Sequence, residues 1–246
     1  MELTRTELKF LLERHEVAQL SSQLALTMNR DLYADSRTGE YSVSSVYFDD
    51  LYCSRVGEKA DGVEYHQKYR VRSYAGGQSR LEFKTKVGNL TAKESIWLDE
   101  PMRRALLTAD ADGVSAYANV RLMADVLVRM KLDDLRPSIV VDYVREAFVY
   151  PTGDVRVTFD KDVTARLCES DPAFARRVLE PGATILEVKY TGLLPDRDVL
   201  ERLAAAGLDE IRFHPPLSMW QETAAPALVE ALRRRGLTIG VALRSA

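Results

Sequence analysis

The sequence predicts an α+β fold built around one large antiparallel sheet, and two observations support this prediction. About eight segments alternate apolar and polar residues with the two-residue period of a β-strand, and short turns join several of them as hairpins. Amphipathic segments with helical spacing are interspersed among these strands, which is typical of α+β proteins. No shift in composition marks a linker, so we expect a single domain over residues 1–246.

The segment 68–86, KYRVRSYAGGQSRLEFKTK, predicts a β-hairpin with its turn at Ala75, Gly76 and Gly77. Because side chains alternate between the two faces of a strand, one face of this hairpin carries cations around a single carboxylate. Those residues are Lys68, Arg70, Arg72, Arg80, Glu82, Lys84 and Lys86. An ordinary solvated sheet face, which is the alternative, usually mixes neutral polar residues with charges. The pattern therefore favours a binding surface.

The other elements follow from hydrophobic spacing and turn residues. We expect strands at 5–10, 41–49, 90–98, 138–150, 155–160 and 184–190. We expect helices at 13–28, 101–107, 114–131, 172–179, 196–206 and 226–235. This order favours strands that pair mostly with their sequence neighbours.

Cationic residues recur at alternating positions in most of the predicted strands. If these faces point the same way, one surface carries Lys9, Lys68, Arg70, Arg72, Lys84, Lys86, Lys93, Arg145, Arg156 and Lys189. Like charges gathered this closely repel strongly unless an anion lies among them. Arginine binds two phosphate oxygens with its planar fork and lysine adds a point charge, and a sheet curled into a barrel would exclude much of the water. Phosphate chains are therefore the predicted ligands.

Three glutamates, Glu7, Glu82 and Glu187, lie among these cations and allow two interpretations. They balance the charge of neighbouring Arg and Lys residues, or they bind Mg²⁺ or Mn²⁺, hard cations that prefer carboxylate oxygens and often join protein to phosphate. Both interpretations stay open for Glu82. Glu187 is the strongest metal candidate because its strand, TILEVKY, is the most apolar and regular.

Composition and motifs argue against several other functions. The formal net charge of −3, and the few aromatic residues on the cationic faces, argue against nucleic-acid binding. The sequence has no P-loop, dinucleotide-binding or nucleophile-elbow motif, and its histidines lack metal-ligand spacing. Cys53 and Cys168 predict free thiols in a reducing compartment. Without an apolar leader or a run long enough to span a membrane, we expect a cytoplasmic protein.

Seven short motifs resemble one known family in their order along the chain. They are RTELKF at 5–10, SSVYFD at 44–49, KYRVRSY at 68–74, LEFKTK at 81–86, YVREAF at 143–148, RVTFD at 156–160 and LEVKY at 186–190. Together they resemble the VTC (vacuolar transporter chaperone) domain, the polyphosphate polymerase branch of the CYTH-like triphosphate tunnel metalloenzymes. The resemblance implies an antiparallel eight-stranded β-barrel, the triphosphate tunnel, with helices packed outside. It also implies transfer of the γ-phosphate of ATP or another nucleoside triphosphate onto polyphosphate, with Mn²⁺ or Mg²⁺ bound by a tunnel glutamate.

The resemblance assigns roles to individual residues. Phosphates would be held by Lys9, Arg70, Arg72, Lys84, Lys93, Arg145 and Arg156, and Lys189 belongs to the motif of the metal ligand Glu187. Lys68 and Lys86 are assigned to the same site only by their alternating positions in the strands. Two positions depart from the family pattern: Met219 replaces a usual lysine, and Glu94 follows Lys93 where a second base is common. Both departures are expected to reduce the positive charge near the tunnel.

Three functions remain open at this stage. The first is a polyphosphate polymerase. The second is a related tunnel enzyme that hydrolyses tripolyphosphate or a nucleoside triphosphate, which Arg5 disfavours because hydrolytic and cyclase relatives typically carry a glutamate there. The third is a non-catalytic sensor of polyphosphate or nucleotide, which Met219 favours.

Overall fold

The computed structural model describes residues 5–50, 65–87, 90–150 and 155–191, which form one large sheet with helices on it. The strands are β1 (Arg5–Leu12), β2 (Asn29–Arg30), β3 (Glu40–Asp49), β4 (Tyr65–Tyr74), β5 (Ser79–Val87), β6 (Leu90–Leu98), β7 (Arg136–Val149), β8 (Arg156–Leu167), β9 (Arg176–Arg177) and β10 (Thr184–Thr191). The helices are α1 (Arg14–Leu24), α2 (Glu100–Leu107), α3 (Ala111–Ser115) and α4 (Arg121–Leu132), with a 3₁₀ turn at Pro172–Phe174. The predicted helices at 196–206 and 226–235, Met219 and Cys53 lie outside the described residues.

Eight strands follow one another across the sheet in the order β1-β10-β8-β7-β3-β4-β5-β6, and the short strands β2 and β9 pair with β7 and β8. Every pairing is antiparallel. This arrangement confirms the predicted α+β fold with an eight-stranded antiparallel sheet.

The sheet is open, with β1 and β6 at its two ends, and its shape is compatible with a curl toward a tunnel. Within the described residues no hydrogen-bonded ladder joins β1 to β6, so the curl is not closed by pairing. Burial lowers the pKa values of Lys68 on β4 and Lys84 on β5, and the ammonium of Lys9 on β1 lowers both further. The influence of Lys9 on both lysines is compatible with a sheet that curls toward a tunnel, with β1 facing the β4–β5 hairpin. The curled sheet therefore has an inner and an outer face.

Helices cover the outer face at both ends of the sheet. The capping box of Glu13 and Glu16 begins α1, and its apolar residues Val17, Leu20 and Leu24 pack with β1, β10, β8 and β7. At the other end, α2, α3 and α4 bury a second cluster against β3, β4 and β5. These two cores confirm that the helices pack outside the curl.

A third core lies on the inner face, beyond the charged residues. Val43, Val141 and Tyr143 belong to it, and the segment after the 3₁₀ turn adds Val178 and Leu179. That segment was predicted as a helix at 172–179, which is wrong. Its exposed and buried residues instead suit an extended segment, and β9 pairs with β8 at Thr164 and Ala165.

The prediction of one continuous helix at 114–131 is also wrong, because this segment contains the end of α3 and most of α4, with a break between them. Residues 116–120 form turns in which the amides of Tyr117 and Val120 donate to carbonyls three residues earlier. The break lets α3 bury Val114 while α4 buries Leu122 and Met123. Sequence spacing alone gave one uninterrupted apolar stripe.

Strand β8 is longer than the predicted strand at 155–160. It continues to Leu167 through a register shift opposite β7, where Asp162 adopts a φ of 49°. Aspartate tolerates this left-handed conformation better than most residues do. The irregularity separates the charged part of β8 from the apolar part that contains Val163 and Ala165.

Candidate phosphate-binding tunnel

Strand register places the predicted site residues on the inner face. Several pairs of residues lie directly opposite each other on this face. They include Lys9 with Glu187, Glu7 with Lys189, Lys189 with Arg156, Arg145 with Asp160, Tyr47 with Arg70, Ser45 with Arg72, Arg70 with Glu82, Lys68 with Lys84, and Lys84 with Lys93. Lys86 pairs through its backbone with His66 and Thr91 in the same ladders. The alternation that predicted one shared cationic face therefore holds across seven strands of the sheet.

On β1 and β10, two lysines and two glutamates form a compact network, the β1–β10 cluster. Lys9 Nζ lies 2.9 Å from Glu7 Oε1 and 3.1 Å from Glu187 Oε2. Lys189 Nζ bonds to Glu187 Oε1 and lies 3.8 Å from Glu7 Oε2. Each cation of this cluster therefore contacts both carboxylates.

Charge pairing in the β1–β10 cluster outweighs the cost of burial. Glu187 is only 7% exposed, which by itself disfavours its ionised form, yet Lys9 and Lys189 hold its pKa well below the usual range. Burial also opposes the charge of Lys9, but Glu187 and Glu7 raise the pKa of this lysine. Lys9 and Glu187 therefore each stabilise the charged form of the other.

A second network, the hairpin cluster, surrounds Glu82 on β5. This carboxylate is 3% exposed and accepts from Arg70 Nε at 2.5 Å and from Lys93 Nζ at 2.6 Å, while Arg72 Nη1 lies 4.0 Å away. Burial opposes its ionisation, but Arg70 and Arg72, together with Lys93, lower its pKa to about 2. These ion pairs balance the charge of Glu82 as Lys9 and Lys189 balance that of Glu187, so both interpretations of Glu82 stay open.

Lys68 and Lys84 differ from Lys9, Lys93 and Lys189 in having no close carboxylate partner in the described part of the chain. Neither has a carboxylate within 4 Å among residues 5–50, 65–87, 90–150 and 155–191. Burial and the nearby cations Lys84, Lys9 and Arg70 lower the pKa of Lys68 to about 8. Burial also lowers the pKa of Lys84, with only partial relief from Glu7. This part of the inner face therefore has unbalanced positive charge.

The two arginines of β7 and β8 each have a carboxylate partner. Arg145 forms a bidentate pair with Asp160, with Nε and Nη2 donating at 2.6 and 2.7 Å. Arg156 Nη2 donates to Asp31 Oδ2 and, at 3.2 Å, to Tyr41 Oη. Sequence reasoning missed Asp31, since no local pattern links it to a residue 125 positions away.

The inner face carries more tyrosines than the sequence analysis predicted. Tyr47 Oη accepts from Arg70 Nη1 at 3.1 Å, and the Arg145 guanidinium lies 5.1 Å from the ring centre of Tyr143. Burial would raise the pKa of Tyr47, but Arg70, Arg72 and Lys68 lower it. The alternation within YSVSSVYFD could have revealed Tyr41 and Tyr47, because both share strand parity with Ser45.

Glu94, which was expected to reduce the positive charge near the tunnel, does not face it. Glu94 lies opposite Phe83, on the outer face, and its Oε1 is 3.2 Å from Arg121 Nη2 of α4. This departure from the family pattern therefore leaves the charge of the inner face unchanged. The reason is that Lys93 and Glu94 are consecutive residues of one strand, so their side chains point to opposite faces of the sheet.

The donor set of the inner face fits a divalent metal that is shared with a ligand. Among the described residues no group of three His, Cys, Asp or Glu side chains could enclose an ion. Glu7 and Glu187 nevertheless lie close enough to share Lys9. Mg²⁺ is commonly bound by one or two carboxylates and completed by water and phosphate oxygens. The two glutamates meet that requirement.

Two further expectations concern the thiols and the membrane. Cys168 is a free thiol, and burial raises its pKa to about 11. In the part of the chain that the structure describes, none of the helices has the length and apolar character needed to cross a membrane.

Comparison with known proteins gives one family. The model of the VTC domain matches residues 4–213 of this chain. A search of curated proteins found no match.

Three solved structures were compared with this chain, all at low sequence identity. A candidate adenylate cyclase from Bacillus halodurans is similar with a TM-score of 0.53 and 13% identity over 85% of this chain and 92% of its own. A protein from Pyrococcus horikoshii gives a TM-score of 0.44 at 11% identity over 88% and 99% of the two chains. An inorganic triphosphatase gives 0.29 at 12% identity over 87% and 86%. The first likeness shows the fold alone, and the other two add no argument.

Proposed function

The chain belongs to the VTC domain family, and from this premise we propose that it is a polyphosphate polymerase. Family membership supports an enzyme that acts on triphosphate or polyphosphate. The proposed reaction transfers the γ-phosphate of ATP or another nucleoside triphosphate onto a phosphate chain inside the tunnel. Mn²⁺ or Mg²⁺ is the proposed cofactor.

The unbalanced charge around Lys68 and Lys84 carries this proposal. A partly buried lysine with a pKa of about 8 is unfavourable without an anion, because its charge has lost part of its hydration and has no carboxylate within 4 Å among the described residues. A phosphate chain beside it would supply the missing negative charge. This arrangement lowers the stability of the folded protein but raises its affinity for an anion, as is common at functional sites.

All the predicted cations are together proposed to hold phosphates along the inner face. Arg70, Arg72, Arg145 and Arg156 offer guanidinium forks, and Lys9, Lys84, Lys93 and Lys189 offer point charges. Glu82 holds Arg70 through Nε, and Asp160 binds Arg145, so these two arginines are already oriented by the protein. Lys68 and Lys86 are proposed to extend the same series on the hairpin.

Glu187 and Glu7 are the residues that would hold the metal. The bound metal would neutralise the negative charge that develops on the transferred phosphate. Lys9 and Lys189, which balance these glutamates in the described structure, would then turn toward phosphate oxygens. The lysines and the glutamates would thus exchange partners when metal and substrate bind.

Little covalent chemistry is required from the protein itself. The inner face would hold the donor and the end of the chain in line, convert a bimolecular step into a step between bound groups, and keep water away. In this proposal the curl would supply this exclusion, because the reacting groups would lie between β1 and the β4–β5 hairpin. Charge stabilisation by fixed Lys and Arg residues would supply most of the rate enhancement.

The test is incubation of the purified protein with ATP and Mn²⁺, with products resolved on a gel that separates phosphate chains by length. Chains made by the wild type and absent with Glu187→Ala would support both the polymerase and the metal ligand. Release of free phosphate without chain growth would replace the proposal with a triphosphate hydrolase. Binding of polyphosphate without turnover would leave a sensor, and Met219→Lys would then be the first variant to assay for a gain of activity.

A further inference from the structure

Tyr33 presents an aromatic ring at the end of the inner face that contains Arg156. It lies between β2 and β3 and is 61% exposed. Its ring stacks on that of Tyr74, with the ring centres 6.2 Å apart and the planes 20° from parallel. Stacking fixes the orientation of Tyr33 while most of its surface stays open to solvent.

Asp31 ties Tyr33 to a proposed phosphate-binding residue. Its Oδ1 accepts from the backbone amide of Tyr33 at 3.0 Å, and its Oδ2 accepts from Arg156 Nη2. The carboxylate is 7% exposed and ion-paired, so it is held firmly in this position. One buried side chain therefore sets the position of both the aromatic residue and the guanidinium.

A series of rings connects the same two residues. Arg156 Nη2 donates to Tyr41 Oη at 3.2 Å, and the ring centre of Tyr41 is 6.5 Å from that of Tyr74. Tyr74 in turn stacks on Tyr33. The inner face thus changes, at this end, from a phosphate-binding cation to exposed aromatic surface.

We propose that Tyr33 is the platform on which the base of the donor nucleoside triphosphate stacks while the phosphates enter past Arg156. This inference rests on the proposed function, because it concerns the donor of that reaction. A nucleoside triphosphate combines a polyanionic tail with a planar aromatic base, and the surface described here combines the matching features in the same order. Exposed tyrosine rings stack with nucleobases, and they tolerate different bases because every base has a π-face.

The experiment compares binding of ATP with binding of tripolyphosphate, which has the phosphates and no base. Calorimetry in the absence of divalent metal measures both ligands on the full chain without turnover. The wild type is expected to bind ATP more tightly than Tyr33→Ser by about tenfold, the magnitude typical of one base–aromatic stack. Tripolyphosphate is expected to bind both proteins with affinities within about twofold, since that ligand makes no stacking contact.

Two control variants separate stacking from disturbance of the loop. Tyr33→Phe keeps the ring and should retain wild-type ATP affinity. Leu32→Ala changes the adjacent residue, which is 98% exposed and not aromatic, and should leave both ligands unaffected. An equal loss of affinity for both ligands in Tyr33→Ser, or no loss for either, would overturn the inference.

Failure of this inference is distinguishable from failure of the polymerase proposal. A wild type that builds phosphate chains, and a Tyr33→Ser protein that binds ATP equally well, would remove the stacking platform and leave the polymerase standing. Selective loss of ATP binding in Tyr33→Ser, together with no chain synthesis by the wild type, would reject the polymerase and keep a nucleotide site at Tyr33.

Discussion

Lys9 and Lys68 both lie on the inner face of the sheet, yet their pKa values change in opposite directions. Burial opposes the charge of both. Lys9 has Glu187 and Glu7 as partners, which raise its pKa above the usual value, whereas Lys68 has mainly cations around it and its pKa is lowered to about 8. The charged form of a lysine on this face is therefore stabilised at Lys9 and destabilised at Lys68.

The contrast indicates two different tasks for the two regions. The β1–β10 cluster is complete without a ligand, so it must exchange partners to bind a metal and phosphate. The region around Lys68 and Lys84 is incomplete without an anion, so it should supply affinity for phosphate directly. Substitutions in the two regions can therefore be compared as matched pairs.

The largest effect is expected for Glu187→Gln. Loss of the proposed metal ligand should lower metal-dependent turnover by about 100-fold or more, the order seen when one preorganised charge-stabilising group is removed. The measurement is the initial rate of ATP consumption against Mn²⁺ concentration. Glu82→Gln is the matched control, because Glu82 contacts Arg70 and Lys93 rather than the β1–β10 cluster. An equal loss of Mn²⁺ dependence in Glu82→Gln would show that the two glutamates share the metal.

Removal of the two contrasting lysines should change stability with opposite signs. Lys9→Met leaves Glu187 and Glu7 short of a cation and should lower the free energy of unfolding by about 3 kcal/mol. Lys68→Met removes a charge that burial and like charges disfavour, so it should raise the free energy of unfolding by about 1–3 kcal/mol. Urea unfolding of the protein without ligand measures both.

Binding provides the second half of this comparison. Lys68→Met should weaken tripolyphosphate binding by about tenfold although it stabilises the protein, because the lost charge serves the ligand. A variant that is both more stable and unchanged in affinity would show that Lys68 does not contact phosphate.

A smaller effect is expected from pH. Below about pH 8, Lys68 is charged in both the folded and the unfolded protein, and its charge lowers stability. Between about pH 8 and its unfolded value of 10.5 the folded form loses the proton first, so stability rises with pH. A phosphate chain favours the charged form, and binding should therefore take up a proton in this range.

The expected result is a loss of tripolyphosphate affinity of about tenfold between about pH 7 and pH 9. Calorimetry in buffers with different ionisation enthalpies measures the proton uptake. Lys68→Met should reduce both the uptake and the pH dependence. A pH dependence that is unchanged in this variant would assign it to Lys84 or Tyr47 instead.

The smallest effect is expected on the outer face. Glu94 and Arg121 form an exposed ion pair, and Arg121→Gln should change the free energy of unfolding by less than about 0.5 kcal/mol. Tripolyphosphate affinity should stay within about twofold of the wild type, because neither residue faces the tunnel. A larger loss of affinity would mean that long-range charge from the outer face contributes to binding.

Strand alternation made the inner face predictable, since it is a local property of the backbone. Parity placed Lys9, Arg70, Lys84, Arg145 and Glu187 on the cationic face of their own strands, and the strand register puts these faces on one side of the sheet, as the prediction assumed. Side-chain orientation in a strand needs no knowledge of which strands pair.

Partners brought together by tertiary folding were not predictable. Asp31 binds Arg156 from a short segment with no pattern of its own, and Asp160 binds Arg145 across the ladder that joins β7 to β8. The extended segment around Val178 was misread for the same reason. Its conformation is set by β8 and by the third core, which the local sequence does not reveal.

The placement of the main apolar cores outside the curl has a consequence for how such a protein can evolve. Phe148, Phe159 and Leu186 pack against α1, and Tyr69 and Leu81 pack against α2–α4, so the strands are held in place from behind. Residues of the inner face can then be exchanged without repacking these cores. New specificities for anionic substrates can arise by a few substitutions along the tunnel, while the scaffold and its folding remain the same.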